Sequence, residues 1–226
     1  MRAIHTIALL PVITVLCWGQ EEGAPKNELA FGLGGLPSLS RSDAPSLNAG
    51  PGTGLQINYG RRFLDRNKLA LYGEINFLAS PLREVSSSVT SATQNFASLY
   101  VTPGLRLKAF PKSRISPYLA IGGGYADYEQ STTEINGQRN PASRELARGV
   151  FDFGTGVDLR VWRWVALRGE ARGFYSGSPD YNVASVSGGQ HNVFAGGAIV
   201  LGWHQKMVSV ILNRESDQVA KVSPPN

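Results

Sequence analysis

The sequence predicts an all-β fold in which eight antiparallel strands form an up-and-down transmembrane β-barrel. Three observations support this fold class. Segments of about ten residues alternate between apolar and polar side chains, their connections are alternately long and short, and aromatic residues gather near segment ends. The 226 residues are 42% hydrophobic and only 17% charged, whereas a typical globular domain is about 25% charged. This composition argues against intrinsic disorder and coiled coils.

The first residues have the features of a secretory signal peptide, predicted over residues 1–19. Arg2 provides a positive start, residues 7–18 form an apolar run, and a small residue, Gly19, precedes the expected cleavage site. Residues 20–27 form a predicted N-terminal segment, which is polar and contains a proline. The apolar run therefore has no adjacent strand to pair with, and we expect export of the chain.

Eight alternating segments make up a predicted barrel domain over residues 28–203. The predicted strands cover residues 28–40, 52–62, 68–79, 95–109, 115–130, 146–161, 163–176 and 191–203. In the fourth strand, for example, Leu105 and Leu107 share one face, while Arg106 and Lys108 share the other.

Alternation alone does not decide whether the apolar face of each strand points into a core or out toward lipid. The lengths of the connections favour an apolar face that points outward, toward lipid. Long connections follow strands one, three, five and seven, at residues 41–51, 80–94, 131–145 and 177–190. Short ones follow strands two, four and six, at residues 64–67, at residues 111–114 and around Trp162. Outer-membrane barrels have long extracellular loops and short periplasmic turns, so we expect the outer membrane of a Gram-negative bacterium.

Aromatic residues near the short connections predict an interfacial girdle. Tyr and Trp favour a membrane interface because the ring is apolar while its polar tip stays hydrated. The predicted girdle consists of Tyr59, Phe63, Phe110, Trp162, Trp164 and Trp203, with Tyr118 beside them. A second girdle is expected toward the long loops, from Phe96, Tyr128, Phe151, Tyr175 and Phe194.

The polar faces of the strands predict a charged interior. Its residues are Glu74, Arg106, Lys108, Asp152, Asp158, Arg160, Arg168, Glu170 and Arg172. An eight-stranded barrel encloses a space only wide enough for side chains. We therefore expect these charges to pair with one another and to close the lumen. A selective path for ions or protons is the alternative interpretation of the same residues.

Residues 101–128, VTPGLRLKAFPKSRISPYLAIGGGYADY, combine an apolar stripe, a short turn that contains proline, and glycine-rich aromatic alternation. They resemble the OmpA-like small eight-stranded outer-membrane β-barrel proteins, and the resemblance extends over residues 27–203. It implies the fold but no substrate. Such barrels often finish on an aromatic residue, whereas Trp203 is followed by residues 204–226, a predicted short periplasmic tail.

Enzyme chemistry has few candidate residues in this chain. We expect no catalytic residues, no metal site and no cofactor, because the chain has only three histidines and one cysteine. The enzyme alternative is a lipid A modifying activity at His191, with Asp180, Ser185 and Ser187 upstream. No His-x-Ser spacing supports it.

The predicted function is therefore non-enzymatic, with a structural or surface-binding role carried by the extracellular loops. The alternatives are an OmpW-like, porin-like conduit for small apolar compounds and a secreted soluble barrel. Expected partners are outer-membrane lipids, lipopolysaccharide and the barrel-assembly machinery during biogenesis, and we expect a monomer. The net charge of +5 comes from dispersed basic residues, so no nucleic-acid partner is expected.

Overall fold

A computed structural model describes residues 24–37, 39–41, 47–87, 94–135, 137–140, 144–177 and 189–204. The predicted signal peptide and residues 205–226 of the predicted tail lie outside the described residues. Eight long strands are present in the described part: β1 (Asn27–Leu36), β2 (Gly52–Arg66), β3 (Leu69–Ser87), β4 (Gln94–Ala109), β5 (Ile115–Gln130), β6 (Glu145–Arg160), β7 (Val165–Gly177) and β8 (Gly189–Trp203). Among these residues, no helix is long and apolar enough to cross a membrane.

The long strands form a closed ring. Each strand pairs antiparallel with the next one along the chain, and β8 pairs with β1. In the closing pair, Asn27 lies opposite Trp203 and Gly35 lies opposite Ala195. Closure removes the unpaired edges that an open sheet would expose. The predicted all-β, eight-stranded, antiparallel up-and-down barrel is therefore confirmed.

Strand alternation places apolar side chains outside the ring and charged side chains inside it. In β4, Leu105 is 47% exposed and Leu107 is 43% exposed, whereas Arg106 between them is 0% exposed. Other exposed apolar residues include Phe31, Ile57, Phe77, Leu119, Phe153, Leu167 and Ile199, from seven of the strands. This arrangement is the reverse of that in a water-soluble barrel, whose apolar side chains fill the interior.

The short connections lie together at one end of the barrel, which we call the turn end. Asn67 and Lys68 alone join β2 to β3. In the next turn, Phe110 adopts a φ of 49°, and its amide donates a hydrogen bond of 2.7 Å to the Lys68 carbonyl oxygen. The Phe110 carbonyl oxygen accepts hydrogen bonds from the Ser113 amide and the Ser116 hydroxyl. These bonds hold a backbone conformation that a bulky residue rarely adopts.

The opposite end, which we call the loop end, contains two additional short pairs of strands. Leu39–Arg41 pairs with Leu47–Ala49, and the latter pairs with the last residues of β3. Glu134–Ile135 pairs with Gln138–Arg139 across Gly137, whose φ is 75°. The predicted loops at residues 41–51 and 131–145 thus contain extended structure.

Strand β3 is longer than the sequence predicted. The expected end was residue 79, but the strand continues to Ser87. An irregularity between Ser80 and Arg83 takes up Pro81, and bulges are among the few places where a sheet tolerates proline. The predicted loop of residues 80–94 is shorter for this reason.

Candidate functional site

The lumen contains two connected clusters of buried ions, together called the lumen network. In the first, on the turn side, Glu28 lies 2.6 Å from the Lys108 ammonium and 2.8 Å from the Arg106 guanidinium. Asp158 lies 2.7 Å from the same ammonium and accepts hydrogen bonds of 2.7 and 3.0 Å from Arg168. All five side chains are buried. Two carboxylates therefore hold three cations away from solvent.

The second cluster surrounds Arg172, which is 1% exposed. Its Nη2 atom lies 2.7 Å from Glu74, its Nη1 atom 2.6 Å from Asp152, and its Nε atom 3.1 Å from Glu170. All these carboxylates are themselves buried. Multiple hydrogen-bonded partners of this kind are what make buried charges tolerable, because each ion has lost its hydration.

Arg106 and Tyr118 connect the two clusters. Arg106 lies 2.8 Å from Glu28 of the first cluster and 3.4 Å from Glu74 of the second. The Tyr118 hydroxyl donates a hydrogen bond to Glu170, and the centre of its ring is 4.9 Å from the Arg168 guanidinium carbon. A cation over an aromatic ring is favourable, more so when it is desolvated. The lumen network is therefore continuous.

On the loop side of the network, the lumen is filled by an apolar layer. This layer consists of Leu36, Leu78, Tyr100, Ala126, Tyr128, Val150, Phe174 and Phe194. The rings of Tyr100 and Phe174 lie 4.8 Å apart between centroids. Ions that passed the network would meet this layer next.

Arg83 lies at the loop end and is 6% exposed. Its guanidinium donates hydrogen bonds to the carbonyl oxygens of Gly50 (2.9 Å) and Pro37 (3.1 Å) and to the Asn192 side chain (2.5 Å). The Asn192 amide in turn donates to the Tyr100 hydroxyl at 2.7 Å. Arg83 thus ties both ends of the connection between β1 and β2, and strand β8 through Asn192, to the top of the apolar layer.

The structure brings together all of the predicted lumen charges except Arg160. The Arg160 guanidinium instead donates hydrogen bonds to the carbonyl oxygens of Pro111 (2.5 Å) and Lys112 (3.1 Å). Arg160 is the last residue of β6 and reaches the neighbouring turn, whose carbonyl oxygens lack strand partners. Arg160 therefore lies at the turn-end mouth of the lumen, where it lines a pocket with Glu28, Lys108 and Asp158 but joins none of the ion pairs described above.

Sequence reasoning missed Glu28 and Tyr118 as lumen residues. Glu28 alternates with Leu29 and Phe31, so the signal that identified the other charges was present in β1 as well. Tyr118 was placed beside the girdle, but its neighbour Leu119 faces outward, so the side chain of Tyr118 points into the lumen. Arg83 was missed because it follows Pro81, beyond the predicted end of its strand.

The six predicted girdle residues lie at the turn end. Phe63, Phe110 and Trp162 are exposed there. Tyr59 and Trp203 are half-buried, with ring centroids 6.4 Å apart. Trp164, also half-buried, lines a shallow pocket at the same end.

The second predicted girdle, toward the loops, is only partly observed. Phe151 and Tyr175 are exposed on the outer face, at 52% and 53%. Phe96, Tyr128 and Phe194 are buried in the lumen, so assigning them to the girdle was wrong. Each of these residues alternates with outward-facing neighbours, so its side chain points into the lumen however close it lies to the strand end.

His191, the residue behind the enzyme alternative, lies on the outer face of β8. Its ring stacks on Phe153 with centroids 5.7 Å apart. Asp180, Ser185 and Ser187 lie outside the described residues. Within the part of the chain that the structure describes, no group of three or more His, Cys, Asp or Glu side chains could hold a metal ion.

Comparison with known proteins identifies the fold through solved structures. No protein-family model matches the chain, and no curated protein matches it significantly. The crystal structure of Neisserial surface protein A (NspA) matches with a TM-score of 0.51 and 14% identity, covering 78% of this chain and 96% of that one. The outer membrane protein OprG from Pseudomonas aeruginosa matches with a TM-score of 0.51 and 9% identity, covering 82% and 100%. This chain has the fold of the small outer-membrane β-barrels. The predicted resemblance to OmpA-like barrels is confirmed at the level of the fold, which by itself fixes no activity.

Proposed function

We propose that this chain is a non-enzymatic outer-membrane β-barrel protein with a closed lumen, whose long loops carry a binding role. The exposed apolar outer face supports the membrane location, because such a surface is stable against acyl chains and prone to aggregation in water. The predicted signal peptide agrees with export. Binding is assigned to the loops because a rigid scaffold usually presents its recognition residues there.

The closed lumen is the observation that carries this proposal. An ion entering from the turn end would have to displace the partners of Arg106 and Arg172, which are fully buried. It would then meet the apolar layer, whose two tyrosine hydroxyls already have hydrogen-bond partners, so that a charge would lose hydration with little to replace it. Two barriers of different chemistry in series argue against a steady conductance.

Planar-bilayer recordings on the wild type and on Glu170→Ala test the closed lumen. Glu170 accepts hydrogen bonds from Gln56 (2.6 Å), from Tyr118 and from Arg172 (3.1 Å). Its removal should lower the free energy of unfolding, yet leave conductance near zero because the apolar layer remains. Steady, ion-selective channels in the wild type that change with Glu170→Ala would overturn the proposal.

A conduit for small apolar compounds is a second candidate, supported by an interruption in the pairing of β4 with β5. The pairing of β4 with β5 is interrupted at Thr102 and Pro103, between the pairs made by Val101 and Gly104. Proline has no amide hydrogen to donate, and the apolar layer lies inside the same part of the barrel. A compound could enter from the loop end and leave sideways between β4 and β5 at this interruption, which we call the seam.

Uptake of an apolar dye by cells that express the protein tests the conduit. Expression should accelerate uptake, and a disulfide bond across the seam should abolish the acceleration while a reductant restores it. Uptake that is unchanged by expression, or by closing the seam, contradicts this second candidate.

A further inference from the structure

Charge is unevenly distributed between the two ends of the barrel. The turn end carries six exposed cations, which we call the basic rim: Arg61, Arg66, Lys68, Lys112, Arg114 and Arg163. Lys26, Arg62 and Arg160 lie beside them and are half-buried, and Asp65 is the one acidic residue among the described residues of these turns. By contrast, the described residues of the loop end carry five basic and five acidic side chains. Among the described residues, the turn end is therefore strongly positive, while positive and negative charges are equal in number at the loop end.

Four cations of the basic rim have no carboxylate partner in the described part of the chain. Asp65 pairs with Arg62, which lies beside the rim, at 2.9 Å. Within the described part of the chain, the structure places no carboxylate at salt-bridge distance from Lys68, Lys112, Arg114 or Arg163. Exposed cations that lack internal partners are available for an external anion.

The basic rim lies directly beside the aromatic girdle of the turn end. Lys112 follows Phe110 by two residues, and Arg163 stands between Trp162 and Trp164. Arg163 and both tryptophans also line one pocket with Arg160, and deeper in this pocket lie Lys108 and its partners Glu28 and Asp158. Interfacial aromatic residues fix the depth of a protein in a bilayer. In an inserted barrel, the girdle would set the rim cations at the depth of lipid phosphates.

We propose that the basic rim binds the phosphate groups of anionic phospholipids in the leaflet that borders the short turns. This inference rests on the proposed membrane location, because the rim meets lipid headgroups only in an inserted barrel. Charge complementarity supports an anionic lipid, and the exposed ring of cations suits headgroups arranged around the barrel. Each Lys or Arg near an anionic membrane surface contributes roughly five-fold in affinity. The balanced loop end has no such attraction.

Lipid retention tests the proposal directly. The protein is inserted into nanodiscs of phosphatidylcholine and phosphatidylglycerol in equal parts, released in mild detergent, and its retained lipids are identified by native mass spectrometry. The wild type should retain phosphatidylglycerol in excess, and added salt should reduce the excess. Arg114→Gln/Arg163→Gln should reduce it by roughly five-fold for each cation removed. Both nanodisc leaflets have one composition, so the direction of insertion does not affect the result.

A matched control separates the basic rim from general charge. Arg139→Gln/Arg144→Gln removes two exposed cations from the loop end and should leave the lipid preference unchanged. Lys68→Gln/Lys112→Gln gives a second rim variant should the first fold poorly. Equal retention of both lipids by the wild type, or equal loss in rim and control variants, overturns the headgroup site alone. A chain that does not insert into bilayers contradicts the proposed membrane location as well.

Discussion

Most buried ions in this barrel have more than one partner, and this multiplicity makes them sensitive to substitution. Arg172 contacts three carboxylates, and Arg106 joins two clusters. Removing one such cation leaves several buried carboxylates uncompensated, whereas the loss of an exposed cation is replaced by water. An arginine in the lumen therefore contributes more to the free energy of unfolding than an arginine in the turns.

Arg172→Ala should lower the free energy of unfolding by about 3–5 kcal/mol, because its three carboxylates stay buried without a cation. Arg163→Ala, at an exposed turn position, should change it by less than about 0.5 kcal/mol. Urea titration in lipid vesicles, followed by tryptophan fluorescence, measures both. Equal small effects would mean that water reaches the lumen network and screens it.

Gly104→Ala should lower the free energy of unfolding by about 1–3 kcal/mol, as overpacked sites do. A Cβ atom at Gly104 would overlap the carbonyl oxygen of Ile121 and lie 2.7 Å from Gly122 Cα, and both neighbours are backbone. Gly169→Ala is the control, since its Cβ would meet nothing within 4 Å. The same urea titration compares them. A Gly104→Ala protein as stable as the control would show that β4 and β5 can move apart freely.

Each long strand has a buried inner face that holds charged groups and an apolar outer face, so a charge has opposite consequences on the two. In β4, Leu105 faces outward five residues from Phe110 of the girdle. At about 3.3 Å per residue and a tilt of about 40°, Leu105 lies about 13 Å from the girdle, half of the ~25 Å apolar band. Its side chain is thereby placed at the bilayer midplane.

Leu105→Arg should lower the free energy of unfolding in bilayers by about 2–4 kcal/mol, the cost of a cation at the midplane. Ile115→Arg, outward at the turn-end start of β5, should cost about 0–1 kcal/mol because its charge reaches the interface. Reversible folding into vesicles over a urea series measures the difference. If both variants fold as stably as the wild type, the outer face does not contact acyl chains.

Taken as one body, the barrel has two unlike ends: short basic turns at one and long connections at the other. Loop lengths predict that the long connections face the outside of the cell and the turns the periplasm. The basic rim supports the same orientation, if anionic phospholipids border the turns. The orientation can be tested independently of lipid binding.

An epitope tag inserted after Gly137, in the hairpin of a long connection, should bind antibody on intact cells. The same tag between Lys112 and Ser113, in a short turn, should bind only after the outer membrane is permeabilised. Both sites are exposed in the barrel, so folding should tolerate the insertions. The reverse labelling pattern would refute the orientation.

Local sequence pattern was sufficient for the architecture of this protein. Alternation in β4 and β7 shows which residues share a face, because side chains in any strand point to opposite sides in turn. The alternation of long and short connections indicated which strand ends lie at the same end of the barrel. The number of alternating segments predicted that eight strands close the ring. Glu28 could have been found by the same alternation.

The partners inside the lumen could not be predicted, because they depend on register and on closure of the ring. Arg172 meets Glu74, which lies 98 positions earlier in the chain and on the opposite wall. Register follows from pairing along the whole strand, and a bulge such as the one beside Pro81 changes it in a way that alternation does not record. Only the closed ring therefore places Arg160 at a turn and Arg172 at the centre of the lumen network.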